Sequence, residues 1–311
     1  PATATPTPVP ATPTPAVYTG DLTSYANAWG YNYLKKLDAS RGGTSLQTMY
    51  VRLYEAAGKY VEEVDCSDLS LQISDCEMLV YSLYLDNPAL IQICPGYSYI
   101  YMDSASPKLT KIQLRLYEEE VCTPLKAECE ATYAAIEAQI ISKYGSVAGA
   151  TRVQRAKAVH DYLVLHNNYG SSDMDQTMAA TLSSSYQPVC MSYSLAMKWC
   201  CNRLGVQCEV VTGSAGGEGH AWNIINYGEP VDYSGTVSDT SVWYEMDVTW
   251  DDPLGMPESY VGYTYFNLTT DDITNNWNHV RDNRYYPAYP IQSCTGTAYS
   301  YKNCVTRGLF D

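Results

Sequence analysis

Phenylalanine is almost missing from this chain: 2 residues in 311, against 30 tyrosines. Cations are scarce as well. Lys and Arg total 19 and Asp and Glu 34, for a net charge of −15. A phosphate backbone is held by clustered cations, and anionic lipid attracts them, so this balance argues against nucleic acid and against a charged membrane surface as partners. No apolar run reaches the roughly 18 residues that a spanning helix needs, so no direct membrane span is expected. The sequence also lacks any Cys-x2-Cys, and the adjacent Cys200-Cys201 cannot offer tetrahedral spacing. No evident calcium loop occurs either. Neither a metal nor a cofactor is therefore expected.

A hydrophobic content of 46% is ample for a core, in one large or two small domains. Residues 1–17 are almost entirely Pro, Thr and Ala. They read as a disordered, semi-extended linker of the kind that tethers a folded domain to an export signal or surface anchor. The 11 cysteines are many for a reducing compartment. An odd count fits five disulfides and one free thiol, with Cys66–Cys76, Cys122–Cys129 and Cys294–Cys304 as plausible short-range pairs. The chain is thus expected outside the cell, tethered to its surface.

The patterning mixes helices with alternating strands, an α+β reading. Helices are expected at 20–38, from Ser45 (with Leu46, Met49, Leu53, Ala56 and Ala57 inward), from the capping-box pattern Ser74-Asp75-Cys76-Glu77, from Thr123-Pro124 to Gly145, and at 151–166. Tyr97–Met102 and Lys111–Tyr117 alternate as two strands joined by a turn at 103–107. Residues 18–149 form a mainly helical front with this hairpin, packed on a core at 150–311. The tail is rich in tyrosine, at 260, 263, 265, 285, 286, 289, 299 and 301, and two readings stay open: an aromatic wall for a peptide or glycan, or Tyr standing in for Phe. His166 and His279 fall in no motif and read as surface or packing residues.

The stretch from Pro188 to Asp252 carries the chemistry. After Cys190, apolar residues recur at helical spacing until Gly205, which puts Cys190 at a helix N-terminus, where unpaired N–H groups favour a thiolate and an oxyanion. A strand at 207–212, a flexible loop at 213–219 with four glycines and a strand starting at His220 follow. Trp243, Glu245, Asp247 and Thr249 share one face of a further strand, so that imidazole and carboxylate can meet across the ladder. Cys190, His220 and Asp247 are a soft nucleophile, a base and a group to orient the base. An aspartate before Val-Thr-Trp is also a natural turn cap. Trp222 and Trp250 are expected to wall the cleft.

Three blocks in this stretch resemble the transglutaminase-like superfamily of papain-type cysteine enzymes, above all its secreted bacterial members and the kyphoscoliosis-peptidase-like group. They are Val189-Cys190-Met191-Ser192-Tyr193-Ser194, His220-Ala221-Trp222-Asn223 and Asp247-Val248-Thr249-Trp250-Asp251-Asp252. The second and third match the family pattern throughout. The first departs from it at Pro188, Ser192 and Ser194, where the family carries small residues, and these changes are expected to narrow the approach to the thiol. His160-Asp161-Tyr162-Leu163-Val164 resembles the helix before the family's core. The resemblance implies a Cys-bearing helix packed on an antiparallel sheet that carries His and Asp. It also implies Cys190 as nucleophile, His220 as base and Asp247 as orienter. Gln187 or Tyr186 is then the extra oxyanion group. The function implied is a secreted protease or amidase that works through a thioester on a protein or peptide, cell-wall peptides included. A cross-linking transglutaminase and an inactive binding module are the alternatives.

Overall fold

The computed structural model describes residues 29–102, 107–231, 237, 239–257, 259–282 and 292–310. The linker at 1–17, the start of the first expected helix, most of the turn at 103–107 and tyrosines 285, 286 and 289 lie outside them. The front begins with α1 (Trp29–Arg41) and α2 (Ser45–Gly58), then β1 (Glu63–Asp65), α3 (Asp75–Asp86), β2 (Ile93–Met102) and β3 (Lys108–Leu116). β3 lies between β1 and β2 in an antiparallel sheet. Two long helices follow, α4 (Glu119–Tyr144) and α5 (Arg152–His166), and then a short one, α6 (Met178–Leu182). The rest comprises α7 (Cys190–Arg203), β4 (Gln207–Ala215), β5 (Glu218–Asn226), β6 (Trp243–Met246), α8 (Thr270–Trp277), β7 (His279–Arg281) and α9 (Tyr301–Thr306). The second sheet is antiparallel in the order β6-β5-β4-β7. The fold is α+β.

Local chemistry moved several element ends. Ser45 does not cap α2. The Asp38 carboxylate accepts from the N–H groups of Leu46 (3.0 Å) and Gln47 (2.8 Å) and satisfies that helix start instead. Leu46, Met49, Leu53, Ala56 and Ala57 are buried as the periodicity predicts. Ser74 precedes α3 without a side-chain capping bond, and no capping box forms there. Asp75 takes over, accepting from the Gln72 N–H at 2.9 Å and pairing with Arg41 at 2.9 Å. α4 starts before Thr123-Pro124, which lies inside it. Glu119 and Glu120 complement the N-terminal dipole of the first turn, and Pro124, the sixth residue of the helix, leaves the Glu120 carbonyl without its intrahelical N–H. The four glycines at 213–219 do not make a loop. β4 and β5 continue to Ala215 and Glu218, and only Gly216 and Gly217 turn, with φ of 60° and 93°. Two consecutive positive φ values are what a tight two-residue hairpin demands, and glycine takes them without strain.

The 11 cysteines are free thiols, not five disulfides and one thiol. Cys122 and Cys129 both lie on α4, seven positions apart. Two helical turns separate them by about 10 Å, beyond the reach of a disulfide. Cys294 Sγ contacts the Arg281 guanidinium (3.7 Å) and Cys304 Sγ the Tyr299 carbonyl (3.4 Å).

One apolar core runs from the front through the second sheet. At their junction the Lys198 ammonium on α7 is buried against Glu209 on β4 (2.6 Å) and donates to the Leu85 carbonyl on α3 (2.8 Å). Removing one partner of a buried ion pair strands the other in low dielectric. Lys198→Ala should therefore lower stability by about 3–5 kcal/mol in urea unfolding. The double change to Met at 198 and Leu at 209 should cost much less. Equal losses for the two variants would show that the pair does not bridge these elements.

Candidate active site

Cys190 is the first residue of α7, half-buried, after Val189 in extended conformation. The segment before it is pinned across the helix entry. Gly170 N–H donates to the Pro188 carbonyl (3.0 Å), and Val189 N–H to the Asp175 carbonyl (3.2 Å). Ser192 and Ser194 do not narrow the approach to the thiol. Ser192 Oγ lies 2.6 Å from Thr181 Oγ1 and donates to the Thr177 carbonyl, and Ser194 Oγ donates to the Cys190 carbonyl at 2.9 Å. Both hydroxyls are spent on main chain or on α6.

β4 pairs with β5 so that Gly213 faces His220. β5 pairs with β6 through Asn223↔Met246. This register sets Asp247 opposite Trp222 and diagonal to His220, within reach on one face. His220 Nε2 meets Asp247 Oδ2 at 2.8 Å. Cys190 lines the same lobe as His220 and helps raise the pKa of that imidazole, and Nδ1 is the nitrogen left to face it. Thiol, imidazole and carboxylate are thus brought to one place. Burial disfavours the His220 cation, but bonds to Asp247 and Cys190 more than offset this and raise its pKa to about 10. Burial also works against the Asp247 carboxylate, and the two imidazoles it meets hold its pKa below the ordinary value.

β6 ends at Met246, so Asp247 and Thr249 lie beyond the strand in a turn. Asp247 caps that turn through Oδ1, which accepts from the Trp250 N–H at 3.2 Å, while Oδ2 faces His220. One carboxylate does both jobs. The two aspartates that follow anchor the turn. Asp251 Oδ2 meets His160 Nε2 of α5 at 3.1 Å, and Asp252 Oδ2 accepts from Tyr193 of α7 at 2.5 Å.

The remaining expected site residues separate. Trp250 lines the cleft beside His220, at 5.6 Å between ring centroids. Trp222 is buried behind His220 at 6.0 Å, nearly parallel, with its indole N–H on Glu245 (2.8 Å). It positions the imidazole and does not wall the cleft. Gln187 packs its side chain on Gly170, and Tyr186 packs on the core; neither lines the cleft around Cys190. The group that does approach is Tyr169, whose phenol is within hydrogen-bonding reach of the Cys190 main chain.

The cleft has two lobes that share Tyr169 and His220. One, of about 350 Å³, holds Cys190 together with Tyr81 and Tyr84 of α3, so the front supplies part of the wall. The other, of about 440 Å³, lies between Trp250, Tyr265 and Leu254. The tail contributes Tyr265, whereas Tyr263 and Tyr301 stack on each other at 4.0 Å, half-buried and away from the cleft. His166 stacks on Tyr162 at the surface.

His279 is the residue that the sequence reading missed. It is no ordinary packing histidine: fully buried, it meets Asp247 Oδ2 with Nε2 at 2.9 Å. Among the described residues, His220, Asp247 and His279 bring ligating atoms within 4.8 Å of one another. Those contacts are direct hydrogen bonds, and a zinc ion with bonds of about 2.0–2.1 Å would have to displace both. Compared with known proteins, the chain matches no family model and none of the curated proteins.

Proposed function

We propose that this chain is a papain- and transglutaminase-like cysteine acyl-transfer enzyme, acting on amide bonds of a protein or peptide. The observation that supports it is that His220, at the junction of two cleft lobes, bonds the buried Asp247 and shares one lobe with Cys190. Cys190 Sγ attacks the carbonyl carbon, and its proton resides on His220. The carbonyl oxygen becomes an oxyanion facing the N–H groups at the start of α7. Collapse expels the amine, which takes the proton from His220, and leaves a thioester on Cys190. Water, deprotonated by His220, releases the acid; a lysine amine in its place gives a cross-link. A cleft that runs from the lobe holding the thiol past His220 into a second lobe suits a polypeptide that continues past the scissile bond, as in a peptidase. In this reading the protein is exported and tethered through residues 1–17, and cell-wall peptides are among its substrates.

The test is a panel of fluorogenic peptide amides, run with and without a dansylated amine. Wild type should release the fluorophore or incorporate the amine, and Cys190→Ala should do neither. Activity that survives in Cys190→Ala would overturn the proposal. Tyr169 has a role here that sequence did not suggest. Its hydroxyl, beside the Cys190 N–H, is placed to donate to the oxyanion. Tyr169→Phe should reduce kcat by about 10²–10³-fold with KM little changed, as loss of one oxyanion donor does. An unchanged kcat would assign Tyr169 to the cleft wall alone.

A further inference from the structure

Asp247 has two imidazoles on one oxygen. His220 Nε2 stands at 2.8 Å and His279 Nε2 at 2.9 Å from Oδ2. The other nitrogen of His279, Nδ1, faces the Trp277 carbonyl at 3.0 Å. Carbonyl and carboxylate oxygens only accept. A His279 ring that satisfies both neighbours therefore donates from both nitrogens and is an imidazolium. Its surroundings suit a buried cation. Trp250 lies 4.7 Å away and Trp222 5.0 Å away, each steeply inclined to it, with Tyr265 at 6.0 Å. Aromatic rings packed this closely around a cation compensate for part of its lost hydration. His279 has no route to substrate, since it is fully buried behind Asp247 and lines neither lobe.

We propose that His279 is a positioning residue: a second imidazolium, clamped between the Trp277 carbonyl and Asp247, that fixes the Asp247 carboxylate toward His220 and tempers its pull on the His220 proton. The inference rests on the acyl-transfer reading above. Two consequences follow from charge. Asp247 with a donor on each side stays ionised well into acid. A carboxylate shared with a second cation also holds the His220 proton less tightly than it would alone, so His220 returns it more readily to the leaving amine. Short β7 exists to make this contact: Ala215↔His279 pairing on β4 and the αL turn at Asn278 (φ 53°) aim the ring inward. The groups facing the two rings are Asp247, Tyr265 and, across His220, Cys190.

The experiment compares wild type, His279→Gln, His279→Ala and His220→Ala. The readout is the rate of Cys190 carbamidomethylation by iodoacetamide from pH 4 to 11, with Tm recorded for each. Removing the second cation should move the alkaline inflection, set by His220, upward in His279→Gln. His279→Ala should be about 10–100-fold slower near neutral pH, the usual loss when the partner of a first-contact residue is removed. A His279→Gln profile superimposed on that of wild type, whatever the Tm, would reduce His279 to packing and overturn the inference. If His220→Ala reacts at the wild-type rate, the acyl-transfer reading falls and the inference with it. The two failures differ in that only the second leaves His220→Ala unimpaired.

Discussion

Iodoacetamide applied to the native protein near neutral pH should add one carbamidomethyl group quickly, at Cys190, and His220→Ala should slow that addition by about 10²-fold or more, the usual worth of a positioned base. With 11 free thiols in the chain, selectivity is the informative part. Nine of them are buried and out of reach of the reagent. Burial also pushes Cys66, Cys76 and Cys129 up to about 12, so these remain protonated thiols, and the thiol form does not react. Only Cys94 matches Cys190 in exposure. It neighbours Tyr117 and has no imidazole, which makes it an internal control in the same sample. Intact mass followed by peptide mapping reads both sites. Equal labelling of Cys94 and Cys190, or a Cys190 rate indifferent to His220→Ala, would mean that geometry alone does not activate the thiol. Such a result would favour a binding module with a papain-like outline.

Much of this site is legible in the sequence because each part has a local cause. The helix after Cys190 follows from apolar spacing and ends before Gly205, which adopts φ 73° as a residue closing a helix should. The His–Asp meeting follows from period-2 strands, given the register. What escapes has non-local causes. His279 is brought to Asp247 by the pairing of the three-residue β7 with β4, too short a strand to leave a periodicity. Tyr169 reaches Cys190 because Gly170 bonds the Pro188 carbonyl, a contact between loops. Gln187 stands near the thiol in sequence, but its side chain turns onto Gly170. The glycines at 213–219 suggest a loop by composition, whereas the pairing ladder continues almost to Gly216-Gly217. Cysteine count and spacing mislead about disulfides for a similar reason. Seven residues along a chain are close, but along a helix they are two turns.

Asp247→Asn should cost the enzyme about 10³–10⁴-fold in turnover, the scale seen when a triad carboxylate becomes an amide. Loss of the negative charge is only part of the cause. Oδ2 accepts from two rings and Oδ1 from the Trp250 N–H, in a site with no exposure to water. An amide offers one acceptor oxygen and two donor hydrogens, so either the Trp250 N–H or both imidazole N–H groups must face an NH2 group. The variant therefore also loses stability, by about 3–5 kcal/mol, as when one member of a buried charge cluster is removed. The pH dependence of that loss tests its origin. The His220 pKa is raised in the folded chain, from the ordinary 6.5 to about 10. Its contribution to stability is thus full below about 6.5 and disappears as pH rises through about 10. Asp247 is lowered from the ordinary 3.8, so its contribution is full above about 3.8 and disappears as pH falls through the lower folded value. Both are complete only between about pH 4 and 6.5. The urea midpoints of wild type and Asp247→Asn should be furthest apart in that window and should converge toward pH 10. A constant separation across the range would mean that Asn disrupts packing and capping of the Asp247 turn, and that charge pairing with the histidines contributes nothing measurable. The turnover defect would then have to be assigned to a displaced His220, which Asp247→Glu, with its charge retained and its reach altered, would reproduce.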